Sequence, residues 1–343
     1  FFRNQMQILV VKNIENKELC SGWDQFVRSH PLGTIFQSPD YFTIFLHHKE
    51  FAPVALLMQN EAGQVEGVLS GIIQYQFGGP FKHMTSRCVV MGGPLVQNND
   101  PGLLAVLFRY FNSFIRRHAI YSQFRNICDM GFAHATFMQS GYTHEEHLNI
   151  HVDLNRDSGE LWNEVHKQKR YEVKRAGREG LTFGPISNLT ELEESYQLLK
   201  NIYTRIKLPL FPFSVFENAF NGLAPKGMAC FWAAYSEGKL IATMYTLSYN
   251  GRIYDYFAGG DNLYSHKFPN SLLSWQVMLW GKSNGMTLFD WGGAGKPGQP
   301  YGVRDFKEKF GGQLVNFGRY EIIHKPLLYR MAKGAFKFIR HMR

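Results

Sequence analysis

IYDYFAGG (residues 253–260), PNSLLSWQVMLWGKSNG (269–285), MTLFDWGG (286–293) and YGVRDFKEKFGG (301–312) together decide the fold. The first is a strand-like run rich in aromatic and β-branched residues. The second opens with Pro269-Asn270 and carries Leu272, Leu273, Trp275, Met278, Leu279 and Trp280 at helical spacing. The third is again strand-like, and a Gly/Pro-rich loop leads from it into the fourth. Strand, helix, strand and a basic-aromatic turn place cations beside strand ends, where α/β folds hold ligands.

The same plan occurs earlier in the chain. PVALLMQNEAGQVEGVLSGIIQYQ (53–76) reads as strand, Gly63 turn, strand, and CFWAAYSEGKLIATMYTLSYN (230–250) repeats it around Gly238. Each hairpin precedes a further strand, helix and strand: CVVMGGPLV (88–96), the helix 103–118 and FRNICDM (124–130) in the first half, and the stretch quoted above in the second. Five elements in one order, twice, predict a duplicated α/β fold with mixed sheets. The expected domains are 1–150 and 151–320, with a tail over 321–343 packing on the first.

The length, 343 residues, exceeds what one core usually serves, which also favours two domains. Lys and Arg outnumber Asp and Glu by 37 to 28, a surplus suited to polyanionic ligands. Cys20, Cys88, Cys128 and Cys230 are far apart and form no CxxC pair, so no metal site is expected and free thiols of a reducing compartment are. No apolar run approaches the ~20 residues of a membrane span, and no signal-peptide pattern opens the sequence. A cytoplasmic protein is expected, with the basic amphipathic tail after Pro326 as a potential contact with the inner face of the membrane.

Between the halves lies LWNEVHKQKRYEVKRAGREGL (161–181). Read as one helix, it buries Leu161, Val165, Tyr171 and Val173 and projects Lys167, Lys169, Arg170, Lys174, Arg175 and Arg178, with Gly180 as its stop. A second helix over 189–206 is closed by Pro209. GxSxG, HExxH and Walker-type glycine loops are absent, and the paired histidines sit in polar contexts that favour surface roles over metal ligation. Asp255, Asp261, Asp290 and Asp305 gather near the strand ends, where satisfying backbone donors competes with general-base work. Phe306-Lys307, followed by Lys309-Phe310, is the strongest chemical motif. A lysine held by aromatics at a sheet end neutralises a phosphate or the oxyanion formed when an amine attacks an ester, although spacing alone favours lysines that solvate one side of an amphipathic turn whose Phe306 and Phe310 pack the core.

Four segments together resemble the Fem family of aminoacyltransferases: FQSPDYF (36–42), KRYEVKRAGREGL (169–181), YFAGGDN with the following helix, and FDWGG through YGVRDFKEKFGGQLV. The resemblance implies two tandem GNAT-like domains, here compact and without the long coiled-coil arm of some members. It implies an amide bond formed between an amino acid from aminoacyl-tRNA and an amine on a UDP-linked or lipid-linked muramyl peptide, without a cofactor. Phe306 and Lys307 then match the family's catalytic pair. Arg205, Lys207, Tyr256, Tyr301, Arg304 and Lys309 become candidates for substrate binding, and the Lys167–Arg178 face for tRNA. Lys307→Ala is expected to abolish transfer while leaving folding largely intact. An acyl-CoA-dependent N-acyltransferase is the alternative, disfavoured because segment 259–267 has glycines only at its start and places Asp261 where phosphate would lie. A non-catalytic RNA-binding or membrane-peripheral protein leaves FDWGG and DFKEKFGG without a purpose.

Overall fold

The structure is a computed structural model describing residues 6–75, 82 and 85–342, with side chains of the last helix described to Gly334. It contains two compact units: residues up to Glu146 together with those from Phe317, and His147–Asn316. The strands are β1 (Gln7–Val11), β2 (Phe51–Gln59), β3 (Val65–Gln74), β4 (Arg87–Met91), β5 (Leu95–Val96), β6 (Tyr121–Arg125) and β7 (Thr143–Glu145), then β8 (Leu148–Asp153), β9 (Thr182–Pro185), β10 (Ala229–Ser236), β11 (Lys239–Tyr249), β12 (Arg252–Gly260), β13 (Leu288–Gly293), β14 (Gln313–Asn316) and β15 (Arg319–Ile323).

The first sheet runs β1-β2-β3-β4-β6-β15-β7, with β5 on β3, and the second runs β14-β8-β13-β12-β11-β10-β9. Within each lies one unit of four strands. β2-β3-β4 and β10-β11-β12 are antiparallel, while β4-β6 and β12-β13 are parallel. A parallel pair requires a crossover. Helices Pro101–Ile115 and Pro269–Ser283 supply the two crossovers, so the predicted duplication is present in the connectivity.

Local chemistry explains both halves. The β10-β11 turn holds Glu237 at φ 53° and Gly238 at φ 78°, the double left-handed geometry that matches hairpin twist. Helix Pro101–Ile115 starts where Asp100 accepts from Leu103 N at 2.8 Å and Pro101 occupies the first turn. It buries Leu104, Leu107, Phe108 and Phe111 against the first sheet. Helix Pro269–Ser283 buries Leu272, Leu273, Trp275, Val277 and Met278, on more than one face, as expected of a helix enclosed by protein. Each such side chain contributes roughly 1.5–3 kcal/mol of transfer free energy.

The basic segment departs from the single-helix reading. Ser158–Glu164 and Lys167–Arg178 are separate helices, because Val165 is extended (φ −61°, ψ 126°) and His166 starts the second by accepting from Gln168 N. The break rotates the second helix relative to the expected stripe. Tyr171 is therefore half exposed rather than buried, and Lys169 is buried rather than projecting. After helix Leu189–Arg205 the chain turns at Lys207, with φ 55°, into the short helix Phe213–Gly222, and no long helical arm occurs among the described residues. Helix Pro326–Met342 sets the Tyr329 ring 5.2 Å from that of Tyr121. The tail cations Lys337, Arg340 and Arg343 lie outside the described side chains. No helix among the described residues is long and apolar enough to cross a membrane.

Candidate active site

The two parallel pairs differ where it matters. In the first sheet the β4-β6 register runs from Arg87↔Tyr121 to Met91↔Arg125, and Gly92 N continues it by donating to Arg125 O at 3.0 Å. In the second sheet the β12-β13 register stops at Tyr254↔Asp290. Just beyond, β12 bulges: Tyr245 faces Phe257 and Thr246 faces Asp255, leaving Tyr256 as the extra residue. β13 also loses register against β8 between Asp290 and Gly293. Bulges of this kind re-aim side chains and cluster beside active sites. The second unit thus opens its sheet at the carboxyl ends of two parallel strands, the position where open α/β sheets receive ligands.

Lys307 reaches into this opening from helix Gly302–Glu308. Its Nζ donates to the carbonyl oxygen of Trp291 on β13 and lies 3.3 Å from Asp255 Oδ2 on β12. One ammonium therefore spans the two strand ends that no longer pair with each other. Its side chain is 12% exposed and that of Asp255 8%. Asp255 Oδ1 and Trp291 Nε1 are buried without a hydrogen-bond partner among the described residues. Burial pushes the Asp255 carboxyl above its ordinary value, the Lys307 charge and hydrogen bond pull it back, and the Asp290 charge adds a smaller push upward. Removing Lys307 therefore disturbs a buried pair, which revises the expectation that Lys307→Ala leaves folding largely intact.

Aromatic rings pack beside the lysine, whose Nζ lies 5.9 Å from the Trp291 centroid, and along β12. Phe306 is half-buried, with its centroid 5.3 Å from that of Phe310 and 6.5 Å from that of Trp291. On the β12 side, Tyr256 lies 6.3 Å from Phe211, and Tyr203 packs 5.7 Å from Phe257. Burial, then the charge of Asp255, pushes the Tyr203 hydroxyl up, while the Ala258 backbone and Tyr301 also act on it. Tyr203, Asp255 and Tyr301 therefore share one electrostatic neighbourhood. Tyr203 carries no motif, and only its place at the end of an amphipathic helix marks it in the sequence.

The remaining candidates divide. Arg304 donates to the carbonyl oxygens of Lys296 (2.9 Å), Ala294 (3.3 Å) and Gln299, so it pins the Gly/Pro-rich loop instead of pointing at a substrate. Lys309 donates to Gln168 Oε1 at 3.0 Å. Tyr301 is 39% exposed beside the same loop. Arg205 is exposed and donates to Asn262 Oδ1 at 3.1 Å, and Lys207 is exposed next to it. Of the basic helix, Lys167, Lys174 and Arg178 are exposed and Arg170 and Arg175 half-buried, Arg175 bonding Glu179. Lys169 does not belong to that surface. Among the carboxylates, Asp261 caps Leu263 N and Asp290 accepts from Gly292 N while lying 3.3 Å from His151, the backbone roles expected of strand-end aspartates. Asp255 instead pairs with Lys307.

Gly312 closes the turn after the Lys307 helix. Its φ is 95°, and a Cβ there would stand 2.6 Å from His151 O. Gly312→Ala is expected to destabilise the second unit by at least 1–3 kcal/mol, roughly the cost of a disfavoured backbone conformation alone. Urea unfolding followed by tryptophan fluorescence measures it, and an unchanged midpoint would refute the strain.

Residues 163–308 match the Acetyltransferase (GNAT) domain family. The chain is 21% identical over 308 residues to UDP-N-acetylmuramoylpentapeptide-lysine N(6)-alanyltransferase of Weissella viridescens, covering 82% of this chain and 86% of that protein. Among solved structures it resembles FemX with a TM-score of 0.72 at 17% identity, covering 95% of this chain and 99% of the other. It also resembles a tandem GNAT protein from the clavulanic acid biosynthesis pathway, with a TM-score of 0.61 at 12% identity, covering 93% and 99% respectively.

Proposed function

We propose that this Fem-type acyltransferase of tandem GNAT fold joins an amino acid, delivered as its tRNA ester, to an amine of a muramyl-peptide precursor of peptidoglycan. The resemblance read from the motifs is borne out by the alanyltransferase relative and the FemX fold. The observation that carries the chemistry is the Lys307 ammonium held between the open ends of β12 and β13.

An aminoacyl ester is already activated, so orientation and charge stabilisation dominate the barrier. The acceptor amine, having shed one proton to solvent, attacks the ester carbonyl. A carbon–nitrogen bond forms and the carbonyl oxygen becomes an oxyanion, which Lys307 stabilises. Collapse breaks the bond to the ribose oxygen, and the second nitrogen proton passes to that oxygen as it leaves. Asp255 pairs with Lys307 and fixes its position, and Phe306 shapes the wall beside it. Arg205 and Lys207 are the cations offered to the acceptor's diphosphate, with Tyr256 and Tyr301 flanking the opening.

Acetyl-CoA fits less well. Pro269 removes one N–H from the crossover helix N-terminus, and Ser271 donates its hydroxyl to Glu172 at 2.6 Å. The segment before the helix is a tight 3₁₀ turn, Asn262–Lys267, rather than a glycine-rich cradle. The test incubates the purified protein with a UDP-muramyl pentapeptide and either labelled alanyl-tRNA or labelled acetyl-CoA. Label is expected in the peptide only from the tRNA ester; transfer from acetyl-CoA alone would replace the donor.

Exposed Lys167, Lys174 and Arg178, with half-buried Arg170, form the surface offered to the tRNA backbone. Reversing Lys167, Arg170 and Lys174 to Glu is expected to lower the slope of log K against log salt by about 1 for each phosphate no longer neutralised. Filter binding across a salt series measures it, and an unchanged slope assigns that face to solvent.

A further inference from the structure

The buried face of the basic helix grips the turn that carries Lys307. Lys169 Nζ lies 2.5 Å from Glu172 Oε2 and donates to Ser271 Oγ at 3.2 Å, and Lys169 and Glu172 are 6% and 5% exposed. The same ammonium stands 4.1 Å from the centroid of Phe306 and 5.8 Å from that of Phe310. Gln168 donates to Glu172 Oε1 at 3.0 Å and accepts from Lys309 at 3.0 Å. His166 N donates to Lys309 O at 2.8 Å. The residues on both sides of Lys307 are thus tied to one helix.

A buried charge is retained only where it is paired and hydrogen-bonded, and Lys169 has both kinds of partner. Its remaining hemisphere is covered by an aromatic face, the arrangement in which a desolvated cation–π contact is strongest. Phe306 is consequently fixed in position as well as packed. Since Lys307 follows it in a helix of only two turns, tilting the Phe306 ring displaces the Lys307 amine from Trp291 O and Asp255.

We infer that Lys169 is a positioning residue, which acts through the Phe306 ring to hold the Lys307 ammonium between the open strand ends. The inference rests on the reading of Lys307 as the oxyanion-stabilising cation, but its geometry is tested without turnover. Lys169→Met/Glu172→Gln removes both charges of the pair and keeps the amide's bonds to Gln168 and Ser271, so that no buried carboxylate is left alone. At a temperature where circular dichroism shows both proteins folded, the rate at which an amine-acylating reagent modifies Lys307 is read by peptide mass spectrometry. That rate is expected to rise roughly tenfold, as a desolvated cation–π restraint is released. If the wild type transfers alanine, kcat is expected to fall by about 10- to 100-fold with the acceptor KM unchanged, the scale of a small misplacement. Adding Phe306→Leu is expected to cost little more. An unchanged Lys307 labelling rate in the folded variant overturns the inference, whatever the turnover. Absence of transfer by the wild type, with labelling raised in the variant, leaves the inference standing and sinks the aminoacyltransferase reading.

Discussion

Replacing Lys307 by methionine is expected to lower aminoacyl transfer by about 10²- to 10³-fold, the scale of losing one preorganised donor to a tetrahedral oxyanion. Methionine keeps the length of the side chain and removes its charge. The loss should fall on kcat, because the acceptor's diphosphate is offered to Arg205 and Lys207 instead. Burial complicates the measurement, since the variant leaves Asp255 without its cation in a site where both side chains are nearly covered. The clean comparison is therefore Lys307→Met/Asp255→Asn, which removes the pair together. Initial rates with labelled alanyl-tRNA at saturating muramyl peptide decide the matter. A folded double variant with turnover within a few-fold of wild type would end the proposed role of Lys307.

Repeated order is what made the fold legible. The hairpins around Gly63 and Gly238, each followed by strand, helix and strand, predicted both four-strand units and both crossovers. The Phe306-Lys307 pair was legible as a motif, and the structure sets it at the end of the predicted strand pair. What escaped were features that depend on register. A bulge at Tyr256 follows from how β11 and β12 align, which no local pattern states. Asp255 was therefore one carboxylate among four, although a lone carboxylate within an apolar strand run was the available signal. Periodicity that runs across Val165 places Lys169 on the outer face, but the helix breaks there. A guanidinium satisfied by loop carbonyls, as Arg304 is, looks in sequence the same as one waiting for a substrate.

The same pair makes a prediction about stability. Burial holds the Asp255 carboxyl above its ordinary value, and the Lys307 charge and hydrogen bond oppose this. A raised carboxyl binds its proton more tightly in the folded state than in the unfolded chain. Its contribution is therefore fully present below the ordinary carboxylate range and is lost as pH rises through the raised value. In Lys307→Met both opposing influences vanish, the carboxyl rises further, and the loss on raising pH becomes larger. The deficit of Lys307→Met relative to wild type should thus be small in mildly acidic buffer and grow toward neutral and alkaline pH. It should approach about 3–5 kcal/mol there, the cost of stranding one partner of a buried ion pair. Adding Asp255→Asn should recover most of that deficit and remove its pH dependence, because the amide carries no charge to desolvate. Urea unfolding of wild type, single and double variants across the carboxylate-to-neutral range tests this. A Lys307→Met deficit that is the same at every pH, and that Asp255→Asn does not relieve, would show that Asp255 does not hold its charge against Lys307.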